Sequence, residues 1–131
     1  MDMVISFEEG KKVNAHYKDM LIKTDQPLRA GGEGSAPEPF TLFLASIGTC
    51  AGIYVKSFCD QRGLSSDNIK LIQSMTYNKE KKLIDSINIE IQLPEDFPEK
   101  YKEAVIKAAD LCTVKKHLAN PPDIKVNTTN N

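Results

Sequence analysis

No charge dominates this sequence, cysteines are few, and no long hydrophobic run is present; each absence closes off a class of function. Seventeen Lys plus Arg face eighteen Asp plus Glu, a net charge of -1, so the chain has no general attraction for nucleic acid or anionic lipid. Three cysteines, Cys50, Cys59 and Cys112, are an odd count and too sparse for a stapled extracellular scaffold. The start, Met1-Asp2-Met3-Val4, lacks the basic stretch, apolar run and small-residue cleavage site of a secretion signal. A cytoplasmic protein with reduced thiols is therefore expected. The longest uncharged stretch, Phe40 to Val55, falls short of the roughly 20 residues that a membrane span needs. Lys56, Asp60 and Arg62 follow it, so it reads as a buried core helix and no membrane association is expected.

Motifs that would announce a cofactor are missing too. No CxxC or HxxxH spacing exists, so a zinc site built from Cys112 and His117 with Cys59 or His16 has no support in the spacing. Gly31-Gly32-Glu33-Gly34 lacks the Lys-Ser/Thr of a phosphate loop and the third glycine of a dinucleotide turn. Asp25, Glu33, Glu38 and Asp60 make no recognisable carboxylate pair and read as solvated loop or helix-end charges. What remains is a globular composition, 40% hydrophobic and 27% charged over 131 residues, the size of one domain spanning 1–131.

The order of elements reads as α+β. Short runs at Val4–Phe7, Val13–Tyr17 and Met20–Lys23, separated by turn residues, predict a three-stranded antiparallel meander. Asp25 to Pro39, with three Gly and three Pro, is a structured loop. A long helix is expected from Pro39 to Arg62 with Gly63 as its left-handed stop. Its first four turns are apolar almost all round, so the helix must be enclosed. Gly48 and Gly52, one turn apart, suggest close approach of another backbone. Ile69–Tyr77 and Leu83–Leu93 alternate as a hairpin, the second with Leu83, Asp85, Ile87, Ile89, Ile91 and Leu93 on one side. An amphipathic helix carrying Tyr101, Ala104, Val105, Ala108 and Cys112 on one face follows, then a break or a short second helix from Thr113 to Ala119 and a last strand from Ile124 to Thr128.

Helix geometry limits what the cysteines can do. Cys50 and Cys59 share the long helix but point to opposite sides, roughly 13 Å apart along the axis, and cannot bridge each other. Cys50 sits among the most apolar turns, whereas Cys59 is placed towards the solvent end. A buried free cysteine is first of all a small hydrophobe; if any two thiols converge, they are Cys50 and Cys112, one from each of two core helices.

The run Asp25-Gln26-Pro27, then Gly31 to Pro39, then Phe40 to Cys50 ending in Leu44-Ala45-Ser46-Ile47-Gly48-Thr49-Cys50, resembles the signature of the OsmC/Ohr superfamily. Cys112-Thr113-Val114 resembles its second hallmark, a cysteine followed by Pro-Val. The resemblance implies an intertwined homodimer with its sites at the subunit interface and no cofactor. It implies a thiol-dependent peroxidase acting on organic hydroperoxides: Cys50 attacks the peroxide, Cys112 resolves the sulfenic acid as a disulfide, and an external thiol reduces it. The family sets an arginine against the thiolate, held by a glutamate ten residues before the first cysteine. Arg29 is the candidate cation, since Arg62, at a helix carboxyl end, is accounted for by the helix dipole. Phe40 occupies the glutamate position, and Glu38 is the carboxylate available to replace it. With Thr113 in place of proline as well, the chain reads as a divergent branch. The alternatives are a family member that binds a small ligand without turnover, or a structural dimer with core cysteines. The resemblance assigns no role to Cys59 or His117.

Overall fold

The computed structural model describes residues 1–130, which divide into two compact units, Met1–Ala45 and a second that begins at Ser46. The first unit is the expected meander: β1 (Val4–Phe7), β2 (Val13–Tyr17) and β3 (Met20–Thr24), antiparallel in the order β1-β2-β3. Phe7 stands opposite Val13, and Tyr17 opposite Met20, so both connections are tight. Among the described residues of this unit the buried positions are Asn14, Thr24, Asp25 and Gly32. It therefore has no apolar core of its own, and Val4, Ile5, Phe7, Met20 and Leu21 stay exposed.

Helix α1 (Pro39–Gln61) begins at the end of the first unit and continues into the second. It stops where the sequence says it should. Gly63 takes a φ of 64°, the N–H of Leu64 reaches the Cys59 carbonyl at 2.9 Å, and that of Gly63 reaches Asp60 at 3.4 Å. This pair of bonds needs a left-handed residue at 63, which glycine adopts without steric cost. Arg62 adds to the stop: its Nη1 donates to the Phe58 carbonyl at 3.1 Å, and its guanidinium lies 3.6 Å from the Phe58 ring centroid.

Enclosure of α1 is only partial. Its buried residues are Ile47, Ala51, Val55, Phe58 and Cys59, a single stripe, while Phe40, Phe43 and Ile53 remain well exposed. One chain covers one side of a helix that is apolar on several. The expectation that the run is too short for a membrane also changes: at 23 residues, α1 is long and apolar enough to cross one by length and composition alone. Its buried stripe makes it the core helix of the second unit.

That unit adds the hairpin β4 (Lys70–Asn78) and β5 (Leu83–Gln92), then α2 (Lys102–Asp110) and α3 (Thr113–Ala119). Val55, Phe58, Cys59, Phe97 and Val105 form its core, with Leu71, Ile91 and Leu93 of the hairpin packed against them. The strict alternation expected for β5 breaks at its start. Thr76 pairs with Ser86 but Tyr77 pairs with Ile84, so Asp85 is left out of register and accepts instead from Asn78 Nδ2 at 2.9 Å. The bulge turns Ile84 inward and leaves Leu83 60% exposed. The expected last strand is not formed either. From Pro121 onward the described chain has no regular structure, with Ile124 81% and Val126 93% exposed. Their β-branched composition suits a strand, but a strand needs a paired edge, and among the described residues none pairs with them.

Candidate functional site

Cys50 is positioned by its neighbours on α1. Ile47, Ala51 and Val55 are buried and fix the rotation of the helix, which leaves Cys50 on the flank of the stripe, half-buried. Gly48, two residues earlier and so on another face, meets a side chain of the hairpin rather than a backbone: a Cβ there would lie 2.4 Å from Gln73 Oε1, whereas Gly52 faces open space. The contrast between Cys50 and Cys59 is the reverse of the sequence expectation. Cys59 follows Val55 by one turn, points into the core and is 0% exposed, and burial pushes its thiol up.

Cys112 also sits differently from its predicted place. The spacing puts it on the stripe of the second amphipathic helix, but α2 ends at Asp110. The N–H groups of Leu111 and Cys112 turn back onto the carbonyls of Ala108 and Ala109 at 3.2 and 3.3 Å. Cys112 then extends, with φ −52° and ψ 134°, and caps α3: its sulfur accepts from the Lys115 N–H at 3.3 Å. It remains 2% exposed. Residue 112 is thus a corner between two helices, and the buried stripe simply reaches that far.

At this corner the two sulfurs meet. The Cys50 thiol is shifted down because the Val114 N–H points at its sulfur, with the Cys112 thiol and the Thr113 N–H adding in the same direction. The Cys112 thiol is shifted up, first by burial and then by the neighbouring Cys50. One sulfur is favoured as thiolate and its partner as the thiol that donates to it. A thiolate in an apolar pocket calls for an offsetting positive potential; the groups acting on Cys50 from residues 112–114 include two backbone amides at the start of a helix. No residue-type signal marks them, since every residue but proline carries an N–H and cysteine is not a preferred cap. Cys112 also borders a cavity of about 790 Å³, whose walls combine Ile47, Ala51, Ile87, Ile89 and Ile106 with the charged Glu90, Lys102, Asp110 and Lys115.

Arg29 and Glu38 belong to the first unit, where the structure joins them: the guanidinium lies 3.6 Å from the Glu38 carboxylate. Glu38 therefore reaches the arginine despite Pro39, as a surface ion pair in which the Arg29 side chain is 79% exposed, and Phe40 stacks on Phe43 with centroids 5.5 Å apart. The loop that carries Arg29 is organised by Asp25, which reads in the sequence as a solvated charge. Asp25 is fully buried. Its carboxylate accepts from the Ser35 hydroxyl at 2.6 Å and from the N–H groups of Gln26, Ser35 and Glu33 at 2.7, 3.1 and 3.3 Å. Gly32 must be glycine here, because a Cβ would fall 2.0 Å from the Gln26 carbonyl oxygen. The loop is thus an anion nest filled by its own carboxylate, which is why it reads poorly as a phosphate cradle. Among the described residues no three His, Cys, Asp or Glu side chains gather to hold a metal ion.

A pH dependence follows from Asp25. The Ser35 hydroxyl, then the loop amides, lower its pKa from 3.8 to about 2. A carboxyl lowered on folding contributes stability above its unfolded value and loses it as pH falls through the folded one. Urea unfolding between pH 4 and pH 2 should weaken more steeply for the parent than for Asp25→Asn, which starts less stable at neutral pH. Parallel pH profiles for the two proteins would show that the buried carboxylate does not hold the loop.

Comparisons with known proteins bear on the fold and the family. Residues 32–127 match the family described as OsmC-like protein. An uncharacterized protein of Methanocaldococcus jannaschii is 28% identical over 131 residues, covering 91% of this chain and 68% of its own. A Psychrobacter arcticus structure, named for osmotic stress induction and detoxification response, superposes with a TM-score of 0.71 at 16% identity, covering 87% of this chain and 85% of that one. The organic hydroperoxide resistance protein OhrB of Bacillus subtilis superposes with a TM-score of 0.51 at 16% identity, covering 95% of this chain and 93% of that one. At those identities the structural likeness is one of fold, and it is the α+β fold expected from the sequence. Because the family match runs from the glycine-rich loop through both cysteine motifs to the last described segment, the chain belongs to the OsmC-like protein family.

Proposed function

We propose that the protein is a thiol-dependent peroxidase that reduces organic hydroperoxides through Cys50 and Cys112. The observation that carries this reading is the contact of two reduced cysteines in which one thiol is lowered and the other raised. The Cys50 thiolate attacks the distal peroxide oxygen, the O–O bond breaks, and the alkoxide leaves and is protonated, giving an alcohol and a Cys50 sulfenic acid. Cys112, held against Cys50, attacks the sulfenic sulfur and releases water as the disulfide forms. Two equivalents of an external thiol then restore both cysteines. The thiolate is the nucleophile in the first step, so the downward shift belongs on Cys50. The apolar wall of the cavity bordered by Cys112 suits the organic part of the peroxide.

The reading includes a homodimer. The chain exposes 10454 Å², whereas a folded monomer of its mass exposes roughly 6,900 Å² and two separate folded pieces of these sizes about 8,200 Å². An excess of about 2,000 Å² or more is the scale of an obligate interface. The coreless meander and the uncovered faces of α1 are where the surplus apolar surface lies.

One equivalent of cumene hydroperoxide added to the reduced protein tests the chemistry. Two of the three thiols should disappear, a Cys50–Cys112 peptide should appear in the digest, and Cys59 should stay reduced. Three intact thiols would favour the binding-only alternative, for which Phe40 at the family glutamate position is the argument.

A further inference from the structure

Cys50 and the amides that face it sit on different elements, so something must hold them in register. Helix α3 has only seven residues, and its cap is a sulfur, a weaker acceptor than the oxygen of Ser, Thr or Asp. Such a short element does not keep its first turn in place by itself. The structure supplies a tether. Tyr54 lies one turn after Cys50 on α1, which puts the two side chains on one face about 6 Å apart along the axis. The Tyr54 hydroxyl lies 2.9 Å from Thr113 Oγ1, across 59 residues of sequence. Thr113 is the first residue of α3 and carries one of the two N–H groups directed at the Cys50 sulfur; Val114 carries the other.

The geometry points to Tyr54 as a positioning residue for the Cys50 nucleophile: its hydroxyl tethers Thr113 and thereby keeps the Thr113 and Val114 N–H groups in front of the sulfur. One rigid helix, anchored by Val55 and Phe58, carries both the nucleophile and the group that places its donors. Donors placed before the charge develops need no reorganisation during reaction. The titratable group against Cys50 is Cys112, on the same corner. The role bears on turnover only if the peroxidase reading holds, but the thiol's reactivity reports it independently.

The test is the pH profile of Cys50 alkylation by iodoacetamide, followed by mass spectrometry of the Cys50 peptide in the full chain. Losing a hydrogen bond of ordinary strength should slow alkylation at pH 7 about three- to tenfold and move the midpoint up by about half to one pH unit in Tyr54→Phe. Thr113→Val should behave the same way, the double variant should be no worse than either single one, and Thr113→Ser, which keeps the hydroxyl, should restore the parent profile. A Tyr54→Phe profile that overlays the parent, or effects of Tyr54→Phe and Thr113→Val that add, would overturn the assignment. If the profile shifts as expected while the parent fails to turn over hydroperoxide, the positioning role stands and the peroxidase reading falls. If Cys50-dependent turnover is found with an unshifted profile, the peroxidase reading stands and the positioning role falls.

Discussion

Turnover of cumene or tert-butyl hydroperoxide by Cys50→Ser is expected to fall to the rate of the free dithiol, a loss on the order of a thousandfold or more for removal of a covalent nucleophile. The amides of Val114 and Thr113 would still face residue 50, but a serine hydroxyl stays protonated at neutral pH, and those donors stabilise a charge that no longer exists. Cys112→Ser should behave differently. Serine is a preferred helix cap, so it keeps the bond to the Lys115 N–H and α3 should stay folded. The variant should consume one equivalent of peroxide and accumulate Cys50 sulfenic acid, trapped by dimedone, with slow cycling thereafter. Arg29→Ala should cost part of the rate, which decides whether the guanidinium adds to what the amides supply. Unchanged turnover in Cys50→Ser would end the proposed mechanism.

Oxidation should raise the melting temperature by about 10 °C or more. A bridge between Cys50 and Cys112 closes a loop of about 60 residues, for which chain-entropy arithmetic gives about 4 kcal/mol. A smaller opposing contribution comes from the Cys112 sulfur, which caps α3 in the reduced state and is a poorer acceptor once bridged. Melting the peroxide-treated and reduced protein at one concentration, with Cys112→Ser as the control, measures the difference. Equal melting temperatures with three free thiols still counted would mean that the sulfurs do not bridge.

Much of the fold is legible in the sequence because its signals are local. The alternation of Val13–Tyr17, the Asn78–Lys82 turn, and the stop at Gly63 all depend on residues within a few positions of one another. Where a distant segment decides, local signals mislead. Ile124–Thr128 has a strand's composition but pairs with no strand among the described residues. The Asp85 bulge depends on how Asn78 meets β5 from across the hairpin. Asp25 resembles a loop charge because the donors that bury it, at 33 and 35, come from the far side of the same loop.

The candidate site divides along the same line. By itself the sequence determined the meander, the long helix and its stop, and the hairpin, since periodicity and turn residues act over short range, while the two cysteine motifs were legible through the family resemblance. Tertiary structure alone decided that Cys50 rather than Cys59 lies at the edge of the core, that Cys112 caps a helix, and that backbone amides face the Cys50 sulfur. Burial depends on which face of a helix the rest of the chain covers, and a backbone N–H becomes a functional group only when folding aims it.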